Sequence, residues 1–194
     1  MRLGVISFAH GHVNAYIETI AGFDDARVVA GWDADAERGR AQCAKYGLDF
    51  EASLDVLLGR ADIDAVFVTS PTNMHAEHCI AAATAGKAIL LQKPMALSLA
   101  DCDAIVAAVR QSGVRFSLAY QMRADPVNQE IKALLDDGAI GNIAMIKRRH
   151  AIPLRPNKER AKPGNRHIDA GQHMGMFTAA PSRVRVPPRR PTSE

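Results

Sequence analysis

The stretch Arg2-Leu3-Gly4-Val5-Ile6-Ser7-Phe8 decides the fold, together with the residues that follow it. An apolar run of this length is typical of a buried parallel strand, and the next apolar residues recur at helical spacing. These are Val13, Tyr16, Ile17 and Ile20. The chain therefore opens with a strand, a turn and a helix.

The same alternation continues along the chain. Further strands are predicted at 28–32, 49–50, 65–69, 87–91 and 115–119, and further helices at 35–46, 53–58, 74–85 and 99–112. Strands and helices in this order predict an α/β fold with a Rossmann-type doubly wound parallel sheet, because right-handed crossovers place helices on both faces. We assign residues 1–120 to this domain.

A second domain is expected to begin after residue 120 and to be incomplete. Asp125-Pro126 opens a predicted helix, and residues 143–148 form a predicted strand of a new sheet. We therefore assign 121–177 to a fragment of an α+β domain, and 178–194 to a basic tail.

Charge divides the chain sharply. Residues 1–145 carry 12 Lys and Arg against 18 Asp and Glu, a balance of −6, whereas residues 146–194 carry 12 against 3, a balance of +9. Seven of the ten prolines also lie in the second part. A segment of this kind buries too little apolar surface to offset its ordering entropy, so we expect a disordered tail. Because the tail has no interleaved aromatic residues, nucleic-acid binding is not favoured.

Composition points to an ordinary globular protein. The chain is 47% hydrophobic and 23% charged, with no run long enough for a membrane span and no cleavable signal, so a cytoplasmic location without membrane attachment is expected. Cys43, Cys79 and Cys102 are far apart, and their spacing suggests neither disulfides nor a metal site.

The first turn is a candidate site for a cofactor pyrophosphate, although it lacks the usual glycines. Aligning Gly-x-Gly-x-x-Gly to the turn places Ser7, Ala9 and His12 at the glycine positions, with Gly11 beside them. We assign the cofactor-binding residues of this turn as Ser7, Phe8, Ala9, His10, Gly11 and His12. A turn that binds nothing is the alternative.

Asp33 ends the second predicted strand, where an acidic side chain can accept both hydroxyls of an adenosine ribose. Its charge would repel a 2′-phosphate, so NAD is favoured over NADP. Arg38 and Arg40 weaken that preference. Asp33 could instead cap the following helix.

Lys93 is the leading catalytic candidate. It ends the apolar run Gly86-Lys87-Ala88-Ile89-Leu90-Leu91-Gln92-Lys93-Pro94, and ligands of open α/β sheets collect beyond the carboxyl ends of the strands. The alternative is a surface lysine at the end of an edge strand.

Two motifs resemble a known family. Thr69-Ser70-Pro71-Thr72-Asn73-Met74-His75 is similar to a T-x-P-x-x-x-H segment, and Gln92-Lys93-Pro94 to a Glu-Lys-Pro motif. Residues 120–126 and 134–141 resemble the segment that joins the two domains in the same family. This is the group of glucose–fructose oxidoreductase, inositol 2-dehydrogenase and the rhizopine catabolism protein MocA, and the resemblance covers residues 2–177.

The resemblance implies an NAD-dependent oxidoreductase that moves hydride between a nicotinamide and a sugar, a polyol or a related hydroxy compound. It implies that Lys93 lies near the substrate hydroxyl, with Gln92 in place of a glutamate as a tuning change. The cofactor side would be formed by Thr69, Ser70, Pro71, Asn73, His75, Gln92, Lys93 and Pro94. The resemblance also implies that 121–177 begin the domain that covers the substrate and forms oligomer contacts, and full-length relatives are expected to form homo-oligomers.

The family's acid/base histidine belongs to an Asp-x-x-x-His motif, for which two alignments compete. Asp169 and His173 have the spacing. In the second alignment, residues 167–177 precede the motif, whose Asp and His would follow Phe177, where an arginine- and proline-rich run stands instead. The second alignment predicts a truncated or frame-shifted chain, and hence the alternative of a catalytically incomplete nucleotide-binding remnant.

Overall fold

One parallel sheet of six strands forms the centre of the structure, in the order β3-β2-β1-β4-β5-β6. The structure is a computed structural model and describes residues 1–143, 145 and 146. The strand order reverses between β1 and β4, as in a doubly wound sheet. The strands are β1 (Arg2–Ile6), β2 (Arg27–Trp32), β3 (Asp49–Phe50), β4 (Ala65–Val68), β5 (Ala88–Leu91) and β6 (Phe116–Leu118).

Helices cover both faces of this sheet. Along β4, Val66 and Val68 belong to one buried cluster and Ala65 and Phe67 to another, because alternate side chains of a strand point to opposite faces. The expected Rossmann-type fold is therefore confirmed. The helices are α1 (His12–Ile20), α2 (Ala36–Tyr46), α3 (Leu54–Gly59), α4 (His75–Thr84), α5 (Leu99–Ser112) and α6 (Pro126–Asp136).

Helix boundaries follow local signals in the sequence. Ser53 and Ser98 accept a backbone N–H of the first turn of α3 and α5, and Asp125 does so for α6 with Pro126 after it. Gly47 ends α2 in the left-handed conformation, at φ 66°, directly after the helix predicted at 35–46.

The predicted strand at 143–148 is absent at the three of its residues that the structure describes. Ile143, Met145 and Ile146 are outside any strand and are 51%, 83% and 76% exposed. A strand needs a partner, and no described strand pairs with this segment. The rest of the expected second domain and the tail, residues 147–194, lie outside the described residues.

The cysteines are free thiols. Cys43 and Cys79 are buried, and burial raises the pKa of Cys43 to about 11 and that of Cys79 to about 12. Within the described part of the chain, no helix has both the length and the apolar character to cross a membrane.

Candidate cofactor site

Four strand ends meet at the carboxyl edge of the sheet. The turn at 7–12 follows β1, Asp33 follows β2, residues 69–75 follow β4, and residues 92–94 follow β5. Because β1 and β4 are neighbours where the strand order reverses, a crevice is expected between their loops. The structure brings these four predicted segments together.

The first turn keeps a glycine-like backbone although Ser7 stands at the first glycine position. Ser7 has φ 70°, in the left-handed region, and is the one non-glycine residue with positive φ in the described chain. Its hydroxyl accepts from Ala9 N at 3.2 Å and donates to Asp33 Oδ2 at 3.3 Å, while Thr69 Oγ1 donates to its carbonyl at 2.6 Å. These bonds hold the turn in a conformation that serine seldom adopts.

Asp33 is the most heavily bonded side chain of the site. Its carboxylate is fully buried, and it receives hydrogen bonds from five donors. Burial by itself would raise the pKa of Asp33, but bonds from Arg38, Phe8 N and Asp35 N outweigh burial and hold it below its usual value. The five donors are Phe8 N at 2.6 Å, Asp35 N at 2.9 Å, Ser7 Oγ at 3.3 Å, and Arg38 Nε at 2.9 Å and Nη2 at 2.6 Å.

Asp33 does not cap α2. The cap is Asp35, which accepts from Glu37 N and Arg38 N, both at 3.1 Å. The alternative interpretation of Asp33 as a helix cap is therefore wrong. Asp33 remains available for a role at the strand end.

Gly39 brings α2 close to the end of β2. A Cβ at Gly39 would lie 2.5 Å from the ring of Phe50 and 3.0 Å from Asp33 Cβ. A larger residue would push the helix away. Glycine here therefore lets Arg38, one residue earlier, reach the carboxylate of Asp33.

The start of α1 suits the pyrophosphate of a dinucleotide. The helix begins at His12, has no acidic residue in its first turn, and so presents its positive end without a competing carboxylate. A Cβ placed on Gly11 meets nothing within 4 Å, so the backbone there is approachable. His12 at the third glycine position does not fill this space, because its ring packs against His10 at 4.7 Å between centroids.

Gln92 links the first turn to the end of β5. It is 1% exposed, and its Nε2 lies 2.6 Å from His12 Nδ1 and 3.2 Å from His10 Nδ1. An amide NH₂ can donate both bonds, which makes both Nδ1 atoms acceptors. Its Oε1 accepts from Lys93 N at 2.8 Å. Gln92 thus fixes the backbone of Lys93 relative to the turn.

His75 joins the other two predicted segments. Its Nδ1 lies 2.9 Å from Pro94 O and its Nε2 3.0 Å from Ser70 O, and the residue is 1% exposed. The structure therefore places His75 beneath the site, between the loops after β4 and β5, while Pro71 and Asn73 lie on the surface.

Lys93 is half-buried directly after β5, and its backbone is held by Gln92. Within residues 1–143, 145 and 146, its ammonium makes no hydrogen bond or ion pair. The other two catalytic candidates, Asp169 and His173, lie outside the described residues.

Sequence reasoning missed two residues of this region. His78 is buried, lies 2.9 Å from Ser70 Oγ and packs edge-on against Trp32, and burial lowers its pKa. Tyr16 lies one turn after His12 and bonds to Gln92, while burial raises its pKa. Both could have been predicted from helical spacing. His78 is three residues after His75 and Tyr16 is four after His12, so each shares a helix face with a predicted site residue.

Comparison with known proteins agrees with this geometry. Residues 3–120 match the Gfo/Idh/MocA family, described as an oxidoreductase family with an NAD-binding Rossmann fold. The chain is 40% identical to inositol 2-dehydrogenase 1 of Saccharopolyspora erythraea over 152 residues, which are 75% of this chain and 44% of that protein.

Solved structures of dehydrogenases resemble this chain in fold. The scyllo-inositol dehydrogenase of Lactobacillus casei, solved with NAD(H) and scyllo-inositol, has a TM-score of 0.66 and 25% identity, covering 73% of this chain and 42% of that one. The WlbA dehydrogenase of Bordetella pertussis, solved with NADH and UDP-GlcNAcA, has a TM-score of 0.67 and 28% identity, covering 72% of this chain and 43% of that one. Both of these proteins are dehydrogenases that were solved with a nicotinamide cofactor.

The chain spans less than half the length of the curated relatives it matches, 46% and 44% of the first two. The matched part includes the turn at 7–12, Asp33, residues 69–75 and Lys93. On this evidence, the chain belongs to the Gfo/Idh/MocA oxidoreductase family, whose NAD-binding Rossmann fold matches residues 3–120.

Proposed function

We propose that this chain binds NAD(H) at the carboxyl edge of its sheet and supplies the cofactor half of a dehydrogenase that acts on a hydroxyl of a sugar or polyol. NADP is disfavoured, because Asp33 places a buried negative charge where a 2′-phosphate would lie. A cytoplasmic location and homo-oligomeric assembly of the whole enzyme are part of the same proposal.

The observation that carries the proposal is a continuous set of side-chain contacts that joins the four strand ends. Ser7 contacts Asp33 and Thr69, Gln92 contacts His10 and His12, and His75 contacts Pro94. Structural stability alone does not require polar groups from four loops to converge on one edge. A preorganised edge of this kind is what a cofactor site needs.

Each part has a task in the proposed reaction. When bound, NAD would supply the hydride acceptor for the oxidation of a carbinol carbon. The positive end of α1 and the open backbone at Gly11 hold the pyrophosphate, and Asp33 accepts the ribose hydroxyls. The Lys93 ammonium orients the substrate oxygen and stabilises the negative charge that develops on it.

Removal of the hydroxyl proton needs an acid/base group, and His173 with Asp169 remains the proposal for that role. The alternative function is NAD binding without turnover. The chain spans less than half the length of its first two curated relatives, which is consistent with this alternative. Binding and turnover are therefore tested separately.

Binding is tested by titrating the chain with NADH and following nicotinamide fluorescence. Gly11→Ala should weaken binding at least tenfold, because the new Cβ occupies the backbone approach, yet fold stability should stay within about 0.5 kcal/mol. Asp33→Asn should weaken NADH binding and reduce the preference over NADPH. Failure of the folded wild type to bind NADH would reject the proposal.

Turnover is tested by incubating the chain with NAD and a panel of sugars and polyols, and measuring NADH absorbance. Turnover that is lost in Lys93→Met but not in Lys87→Met would establish the dehydrogenase. NADH binding without turnover of any substrate would establish the alternative.

A further inference from the structure

We propose that Arg38 occupies, in the chain without cofactor, the face of Asp33 that the adenosine ribose would bind, so that the ribose must displace the guanidinium. This inference rests on the function proposed above, since it assumes that Asp33 receives the ribose hydroxyls. Arg38 is then a residue that sets the affinity for the cofactor by competing with it.

The acceptor positions of the Asp33 carboxylate are already filled. An ionised carboxylate offers about four lone-pair positions, and Asp33 already receives five hydrogen bonds. Two ribose hydroxyls would bring two more donors. They can bond to Asp33 only if donors now present leave.

The donors on Asp33 differ in how freely they can leave. Phe8 N and Asp35 N are backbone groups, fixed by the first turn and by the start of α2. Ser7 is 2% exposed, and its hydroxyl also holds Ala9 N. Arg38 contributes two bonds from a side chain that is 37% exposed. It can leave by rotating its own side chain, without any change in the backbone.

A displaced Arg38 has a second carboxylate, that of Asp35, within reach. Its Nη1 already lies 3.4 Å from Asp35 Oδ2, and the side chain of Asp35 is 51% exposed. The guanidinium can therefore move outward and keep a carboxylate partner. This gives the side chain two arrangements, one on Asp33 and one on Asp35, between which a cofactor would select.

The consequence is a penalty on cofactor binding. Two bonds from a cationic guanidinium are replaced by bonds from uncharged hydroxyls, so Asp33 loses the attraction of an opposite charge. Removing the guanidinium should therefore tighten binding. If Arg38 merely supported the site, its removal would leave Asp33 less well held, and binding would weaken.

The test compares NADH dissociation constants of the full chain, measured by nicotinamide fluorescence, for the wild type, Arg38→Gln and Arg40→Gln. Arg40 is the matched control, because it lies on the same helix but over the ring of Phe50 at 4.6 Å. We expect roughly tenfold tighter binding in Arg38→Gln and less than about a twofold change in Arg40→Gln.

Arg38→Lys is the second variant, which keeps the charge but loses the two-pronged geometry, and it should give an intermediate gain. Thermal unfolding of each variant identifies folded chains. Unchanged or weaker NADH binding in the folded Arg38 variants, with a wild type that binds, would overturn this inference and leave the proposed function standing. No NADH binding by either the wild type or the Arg38 variants would overturn both.

Discussion

Lys87 and Lys93 lie at opposite ends of β5 and have opposite environments. Lys87 is buried at the amino edge of the sheet, where its Nζ donates to Arg60 O at 2.7 Å and to Ile63 O at 2.8 Å. Lys93 is half-buried at the carboxyl edge, where its ammonium has no such partner in the described part of the chain. One strand thus carries a structural lysine at its start and a candidate catalytic lysine at its end.

We predict that Lys87→Met and Lys93→Met separate stability from chemistry. Lys87→Met should lower the free energy of unfolding by about 1–3 kcal/mol, because two carbonyl groups lose a charged donor. Lys93→Met should change it by less than about 0.5 kcal/mol. Urea unfolding measures both. NADH binding should survive in Lys87→Met, and a larger stability loss in Lys93→Met than in Lys87→Met would contradict the assignment.

We predict that Thr69→Val weakens both the fold and the site. The Thr69 hydroxyl is fully buried and donates to Ser7 O, so its loss should cost about 1–2 kcal/mol of unfolding free energy and loosen the first turn. NADH affinity should fall in parallel, as measured by fluorescence titration.

Thr84→Val is the matched control for Thr69→Val. Its hydroxyl donates at 2.8 Å to Ile80 O within its own helix and is exposed. The control should stay within about 0.5 kcal/mol of the wild type and should bind NADH normally. If the two variants lose equal amounts of unfolding free energy and NADH affinity, the hydrogen bond from Thr69 to Ser7 contributes no more than the exposed one from Thr84.

The fold could be predicted from the sequence because its signals are local. Apolar runs marked the strands, and residues such as Gly47 and Asp125 marked helix ends. The bonding of the site could not be predicted in the same way. That Arg38 would lie on Asp33, or that Lys87 would be the buried lysine, depends on contacts between distant elements. Gly39 permits the first contact, and the carbonyl groups of residues 60 and 63 create the second.

The first turn shows a different limit. Its missing glycines made the turn weak evidence for a cofactor site. The Gly-x-Gly-x-x-Gly pattern specifies residue types, whereas the property that matters at this turn is the conformation of its backbone. Ser7 reaches that conformation through its bonds to Asp33, Ala9 and Thr69, and no spacing in the sequence reports these bonds. The predicted strand at 143–148 has a related limit: its described residues 143, 145 and 146 lie outside any strand, and an apolar pattern does not report whether a strand has a partner.

We predict that Ser7→Gly is more stable than Ser7→Ala by about 1 kcal/mol. Both variants lose the hydroxyl bonds, but alanine must keep the left-handed φ of 70°, which glycine adopts without strain. Chemical denaturation of the two variants gives the comparison. At Gly11, where φ is −59°, exchange between glycine and alanine should show no such preference for glycine. Equal stability of the two Ser7 variants would mean that the turn relaxes to a different conformation.

We predict that His78 makes the fold less stable as the pH falls below 7. Burial lowers the pKa of His78 in the folded chain, where it lies against Ser70 Oγ and the edge of Trp32. Among the charged groups near it, Glu77 and Asp33 act to raise this pKa and His75 to lower it, and burial outweighs them.

The sign of this pH effect follows from where the proton binds. The unfolded chain takes up a proton near the ordinary histidine pKa of about 6.5, and the folded chain only at lower pH, so acid favours unfolding by up to about 1.4 kcal/mol per pH unit. Asp33 has a lowered pKa as well, but its contribution to the stability of the fold is lost only below the ordinary Asp pKa of about 3.9, outside the pH range in which His78 acts.

His78→Gln cannot titrate, so its unfolding free energy, measured in urea between pH 5 and 7, should vary less steeply than that of the wild type. The other histidines are present in both proteins and cancel in the comparison. Equal slopes would show that His78 takes up its proton in the folded chain as readily as in the unfolded one, and that its contacts with Ser70 and Trp32 do not depend on a neutral ring.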